Sequence, residues 1–90
     1  MAVEIGTVQT FPDVKPDKAQ ALKVLEEAAE VFGAWQQLDD LGRRVSAIRL
    51  AYECADVIQA TCNLLAAYKI TDFTAYMESC RKRNVERGRM

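Results

Sequence analysis

Two long stretches of the chain repeat apolar residues every three or four positions. In the first these are Ala21, Leu22, Val24, Leu25, Ala28, Ala29, Val31, Phe32, Trp35 and Leu38. In the second they are Leu50, Ala51, Cys54, Ala55, Val57, Ile58, Cys62, Leu64, Leu65 and Ala66. Wound as helices, each set covers an arc of roughly 200°. The pattern predicts one helix from Pro16 or Asp17 to about Leu38 and a second from about Arg43 or Val45 to Tyr68. Asp17 suits the N-cap or first turn of the first helix, and Asp39, Asp40 and Gly42 are its expected stop. After the link Lys69-Ile70, Thr71 or Asp72 can cap a shorter third helix with Phe73, Tyr76, Met77 and Cys80 on one side. Residues 1–16 show only the alternation Val3, Ile5, Val8, and Pro12 and Pro16 oppose a helix there. This segment is expected to be an extended arm with or without a short strand, or a disordered tail.

The fold expected is therefore all-α: an arm over 1–16, then a helical domain over 17–90 with two long antiparallel helices and a C-terminal helix. An arc of roughly 200° is wider than a single partner helix covers. A chain of 90 residues also buries only a modest core, so self-association is a natural way to bury more. Half the residues are hydrophobic, which excludes wholesale disorder. The net charge of −1 does not fit a nucleic-acid binder. No signal peptide is seen, and the stretch Val57 to Tyr68, broken by Gln59 and Asn63, is too short to span a bilayer, so no membrane partner is expected. The three cysteines, Cys54, Cys62 and Cys80, are read as reduced thiols of a cytoplasmic protein, mostly filling core. With no histidine and no CxxC spacing, the chain lacks the usual parts of a zinc site or a Cys–His nucleophile pair.

Acids interrupt both apolar stretches. Glu26, Glu27 and Glu30 lie within about 100° on the polar side of the first helix. Glu53 and Asp56 lie on the narrow polar stripe of the second, with Arg49, Tyr52, Gln59 and Asn63. Glu27 and Glu30 are spaced i, i+3, as are Glu53 and Asp56, which stacks each pair on one helix face. Facing each other, the pairs offer four hard oxygen donors, a set that suits Mg²⁺, with Mn²⁺ as the alternative. The competing reading is a solvated or salt-bridged face on a non-catalytic interaction module. The segment 81–89 carries five basic residues against one Glu, fit to neutralise phosphate or to complement a helix C-terminus. Trp35 and Tyr52 can stack on a base or fill core, and Asn63 can orient a ligand or hydrogen-bond internally.

At these residues the chain resembles the MazG-like, all-α nucleoside triphosphate pyrophosphohydrolases, whose pattern is EExxE, a spacer, then ExxD. Here it reads Glu26-Glu27-Ala28-Ala29-Glu30, twenty-two intervening residues, then Glu53-Cys54-Ala55-Asp56. The ending Lys82-Arg83-Asn84-Val85-Glu86-Arg87-Gly88 is similar to the KxN..RG ending of small, phage-type members, so the likeness covers roughly 18–88. It implies Mg²⁺-dependent cleavage between the α and β phosphates of a nucleoside triphosphate, releasing a monophosphate and pyrophosphate for nucleotide-pool housecleaning. It implies Glu27, Glu30, Glu53 and Asp56 as metal ligands and Glu26 as a water-activating or supporting catalytic acid. Lys82, Asn84 and Arg87 would touch substrate phosphate or sugar. It also implies homodimers or homotetramers in which helix pairs complete four-helix bundles, in agreement with the two wide arcs. Phosphoribosyl-ATP pyrophosphohydrolase shares both acidic motifs, but its segment after ExxD contains a histidine. The sequence gives no loop after Gly88, so any base-reading element is expected elsewhere.

Overall fold

A computed structural model describes the backbone of residues 1–41 and 44–90, and side chains outside 39–46. It is all-helical: α1 spans Lys18–Leu41, α2 spans Arg44–Ala67 and α3 spans Thr74–Glu86. No strand forms among the described residues, so the alternation at Val3, Ile5 and Val8 builds an irregular arm. Asp17 caps α1, its Oδ1 accepting the Gln20 N–H at 3.0 Å. Helix α1 continues through Asp39 and Asp40, beyond the expected stop, and Gly42 and Arg43 lie outside the described residues.

Helix α2 ends in a Schellman turn. The Ile70 N–H reaches the Leu65 carbonyl, the Lys69 N–H reaches that of Ala66, and Lys69 carries a φ of 64°. The same arrangement closes α3. There Arg89 N–H bonds to Asn84 O and Gly88 N–H to Val85 O, with Gly88 at φ 74°. Gly88 thus has a backbone task, the positive φ that a side chain resists. At the other end of α3 the N-cap position falls on Phe73, one residue later than the Thr71 or Asp72 expected; Asp72, just before it, still accepts the Thr74 N–H through Oδ1 at 3.0 Å. That bond holds the Asp72 carboxyl below its ordinary pKa.

Only residues 42 and 43 separate α1 from α2, so the chain returns antiparallel and the two helices pack along their length. Val24, Val31 and Leu38 are half-buried in this seam beside the buried Ala34, facing Val57, Leu64 and the buried Ala60 and Ala67. The seam uses only part of each apolar arc. Leu25 (67% exposed) and Phe32 (58%) project from the other side of α1, and Ile48 and Tyr52 from α2. No Cα of α3 comes within 8 Å of α1 or α2 among the described residues. The accessible surface is 7514 Å². A folded monomer of 10.1 kDa exposes roughly 5,300 Å². The Cα radius of gyration, 15.1 Å, likewise exceeds the roughly 12 Å of a compact chain of this length.

The arm is tied to α2. Asn63, buried at 5% exposure, accepts the Phe11 N–H through Oδ1 at 3.0 Å. Gln59 uses its Nε2 twice, donating at 3.0 Å to the Gln9 carbonyl and at 3.0 Å to the same Asn63 oxygen. Asn63 thus makes the internal hydrogen bonds that one of its two readings expects. The cysteines are free; Cys62 and Cys80 are half-buried, whereas Cys54 is exposed and fills no core within one chain.

Candidate metal centre

The i, i+3 spacing on each helix and the antiparallel seam bring four acids together. One carboxylate oxygen from each of Glu27, Glu30, Glu53 and Asp56 lies within 4.8 Å of the others. Opposite ligands of an octahedral Mg²⁺ sit roughly 4.2 Å apart, so side-chain adjustments below an ångström close the set on one ion. The side chains of Glu27 and Glu53 are 12% and 19% exposed and form the floor. Glu30 and Asp56 are exposed and form the rim. An ion held this way keeps an open, water-bearing side, as Mg²⁺ prefers.

The charges in this cluster are not balanced by the chain. Lys23 Nζ lies 3.3 Å from Glu27 and 3.6 Å from Glu26, and Arg49 Nε lies 4.0 Å from Glu53. Two cations therefore flank four carboxylates, and among the described residues no salt bridge reaches Glu30 or Asp56. The negative charge of Glu27, then a hydrogen bond to it, burial, and the charge of Glu53, push the Glu30 pKa up. The Lys23 pKa is raised in turn, first by its hydrogen bond to Glu27, then by the charges of Glu27 and Glu26. Glu53 Oε2 is buried with no hydrogen-bond partner. Leaving a buried acceptor without a donor costs roughly 1–3 kcal/mol, a cost that a coordinated cation removes. The all-oxygen donor set, its spacing and this orphaned oxygen fit Mg²⁺ or Mn²⁺.

The other sequence-predicted residues fall outside the cluster. Glu26 is exposed on the outer flank of Glu27, held to Lys23. Lys82, Asn84 and Arg87 sit on α3 or at its end, and α3 makes no close approach to the acid-bearing helices. Asn84 is occupied locally: its Nδ2 lies 3.6 Å from Cys80 Sγ and its Oδ1 accepts from Arg89 Nη1 at 3.3 Å. Trp35 stacks on Phe32, centroids 5.8 Å apart. Tyr52 lines an open groove with Ile48, Ala51 and Ala55.

Arg49, Gln59 and Asn63 were placed on the polar stripe by the sequence, but two of their contacts beside the cluster were not foreseen. Arg49 Nη1 donates to Gln37 Oε1 at 2.7 Å, bridging α2 to α1 on the side of the connection. Gln59, with Asn63, fastens the arm on the other side. Gln59 and Asn63 share the polar stripe of Asp56, and that shared stripe was the available signal. Comparison of the chain with protein-family models, with curated proteins and with solved structures finds no match.

Proposed function

We propose that the chain is a metal-dependent nucleoside triphosphate pyrophosphohydrolase of the MazG-like kind, cleaving the α–β phosphate bond to give a nucleoside monophosphate and pyrophosphate. The observation that carries this reading is the four-carboxylate cluster with an unpartnered, buried Glu53 oxygen. Glu27, Glu30, Glu53 and Asp56 would hold Mg²⁺, or Mn²⁺ in its place. When bound, such an ion polarises a phosphoryl oxygen and acidifies its own water. The protein's part is to keep these carboxylates ionised, convergent and open to a polyphosphate on one side. Glu26, exposed beside Glu27, is assigned the supporting role of accepting a proton from the attacking water.

Lys82, Asn84 and Arg87 are assigned to substrate phosphate and sugar. Since α3 stays clear of the cluster in its own chain, this assignment calls for a second copy to bring them to the acids. Self-association is supported by the surface exposed, about 2,200 Å² above that of a folded monomer of this mass. The open face of Leu25 and Phe32 supports it as well, and four-helix completion is the proposed form.

One set of contacts favours a second reading. The pairs Lys23–Glu27 and Arg49–Glu53 are i, i+4 ion pairs of an ordinary salt-bridged helix face, as on a non-catalytic interaction module. The deciding experiment measures pyrophosphate release from ribo- and deoxynucleoside triphosphates with Mg²⁺ or chelator, on wild type and Asp56→Asn. Metal-dependent release lost in the variant supports the enzyme; release by neither protein, with no stabilisation by Mg²⁺, leaves the interaction module.

A further inference from the structure

The arm offers a role that the helices do not. Asn63 lies seven residues beyond Asp56 on the same stripe of α2, about 10 Å along the helix. At that distance its buried amide oxygen fixes the backbone of Phe11, and Gln59 fixes Gln9. Pro12 restricts the backbone of Phe11 further. Despite this double anchorage, Phe11 itself remains 59% exposed. Thr10, between Gln9 and Phe11, is half-buried, so the anchored segment leaves its largest side chain outside. At the opposite end of the acid-bearing face, α1 and α2 are bridged by the Arg49–Gln37 hydrogen bond at 2.7 Å. A ligand whose phosphates sit on the acids is therefore left to extend toward the arm. The distance there is about that from a phosphate through its sugar to its base.

We infer that the segment Gln9 to Phe11 is the base-recognising wall of the site, with the Phe11 ring stacking on the nucleobase of the nucleotide whose phosphates lie at the acidic cluster. This rests on the nucleotide reading above. A π-face accepts every base, so stacking sets a preference for nucleotides over bare polyphosphate and a weaker one among bases. Asn63 and Gln59 are positioning residues, acting through the arm.

Calorimetric titration of the full chain with Mg²⁺ and three probes tests it: α,β-methylene-ATP, α,β-methylene-CTP and inorganic tripolyphosphate. Wild type is expected to bind the nucleotides more tightly than tripolyphosphate. Phe11→Ala is expected to weaken nucleotide binding about ten-fold or more, the loss of one base–aromatic stack, and to leave tripolyphosphate unchanged. Phe11→Trp should restore the preference, and its new indole should be quenched by bound nucleotide. If wild type binds nucleotides and tripolyphosphate equally, or Phe11→Ala keeps the preference, the arm inference fails while the phosphate site stands. If Phe11→Ala alters the sedimentation of the free protein in place of its ligand preference, Phe11 is an interface residue and the inference is overturned. If wild type binds none of the three, the nucleotide reading itself falls and this inference with it.

Discussion

Asp56→Asn should change the sign of its effect on stability according to whether Mg²⁺ is present. Without metal, the four clustered carboxylates face only Lys23 and Arg49, so neutralising one of them relieves repulsion. The metal-free variant is expected to melt at a higher temperature than wild type. With Mg²⁺ at a hundred times its dissociation constant, wild type gains about 2.7 kcal/mol. For a domain of this size that is a rise of roughly 11–22 °C. If losing one of four ligands weakens binding a hundredfold, the variant gains only about 0.4 kcal/mol at the same Mg²⁺ concentration. The two melting curves therefore exchange order between chelator and Mg²⁺. The assay is far-UV circular dichroism on heating, at fixed protein concentration, with MgCl₂ compared against NaCl at matched ionic strength. A salt-bridged face responds to ionic strength alone. Equal shifts with both salts, or an undiminished Mg²⁺ shift in Asp56→Asn, would refute the metal site.

The raised Glu30 pKa gives the metal-free protein a pH dependence: the folded state holds the Glu30 proton to higher pH than the unfolded chain does, so this contribution is present in acid and lost as pH rises through the folded value. Melting of the metal-free wild type should therefore show that loss, and Glu30→Gln should remove it. Lys69→Gly, at a φ of 64°, should stabilise the end of α2 by about 0.5–1 kcal/mol in urea unfolding. Asn63→Leu removes the acceptor that holds Phe11 and should cost about 1–3 kcal/mol. In hydrogen exchange its first sign should be loss of protection at the Phe11 amide. Leu25→Glu with Phe32→Glu charges the open face of α1, and sedimentation should show the proposed association shifting toward monomer.

The helix pair and its acids were legible because both obey one period. Spacing of three and four residues put Val24, Val31 and Leu38 on one face and Glu27 and Glu30 one turn apart, and the same rule held on α2. Asp17 was legible as a cap because a short acid before a helix has few other local uses, whereas at α3 the cap position itself fell one residue past Asp72, on Phe73. Burial was less legible. The stripe of α2 was expected to bury its acids in part; Glu53 obeys, but Asp56 is exposed, since a single chain covers only one side of the pair. The stop at Asp39 and Asp40 failed because two acids weaken a helix without breaking it. The docking of the arm left almost no local trace. It depends on backbone groups of Gln9 and Phe11, which every residue type carries, meeting two amide side chains half a chain away.

That docking has a consequence for biosynthesis. Phe11 and its acceptor are separated by 52 positions, the longest-range of the chain's side-chain hydrogen bonds among the described residues. The α1–α2 hairpin closes through contacts of much shorter separation, as between Gln37 and Arg49. Short loops close at the lower entropic cost, so the hairpin can form before the arm has a place to go. The arm, though it precedes both helices in the chain, is thus among the last parts to be seated. Until Gln59 and Asn63 have been made and α2 has wound, the arm lacks the two amides that hold it.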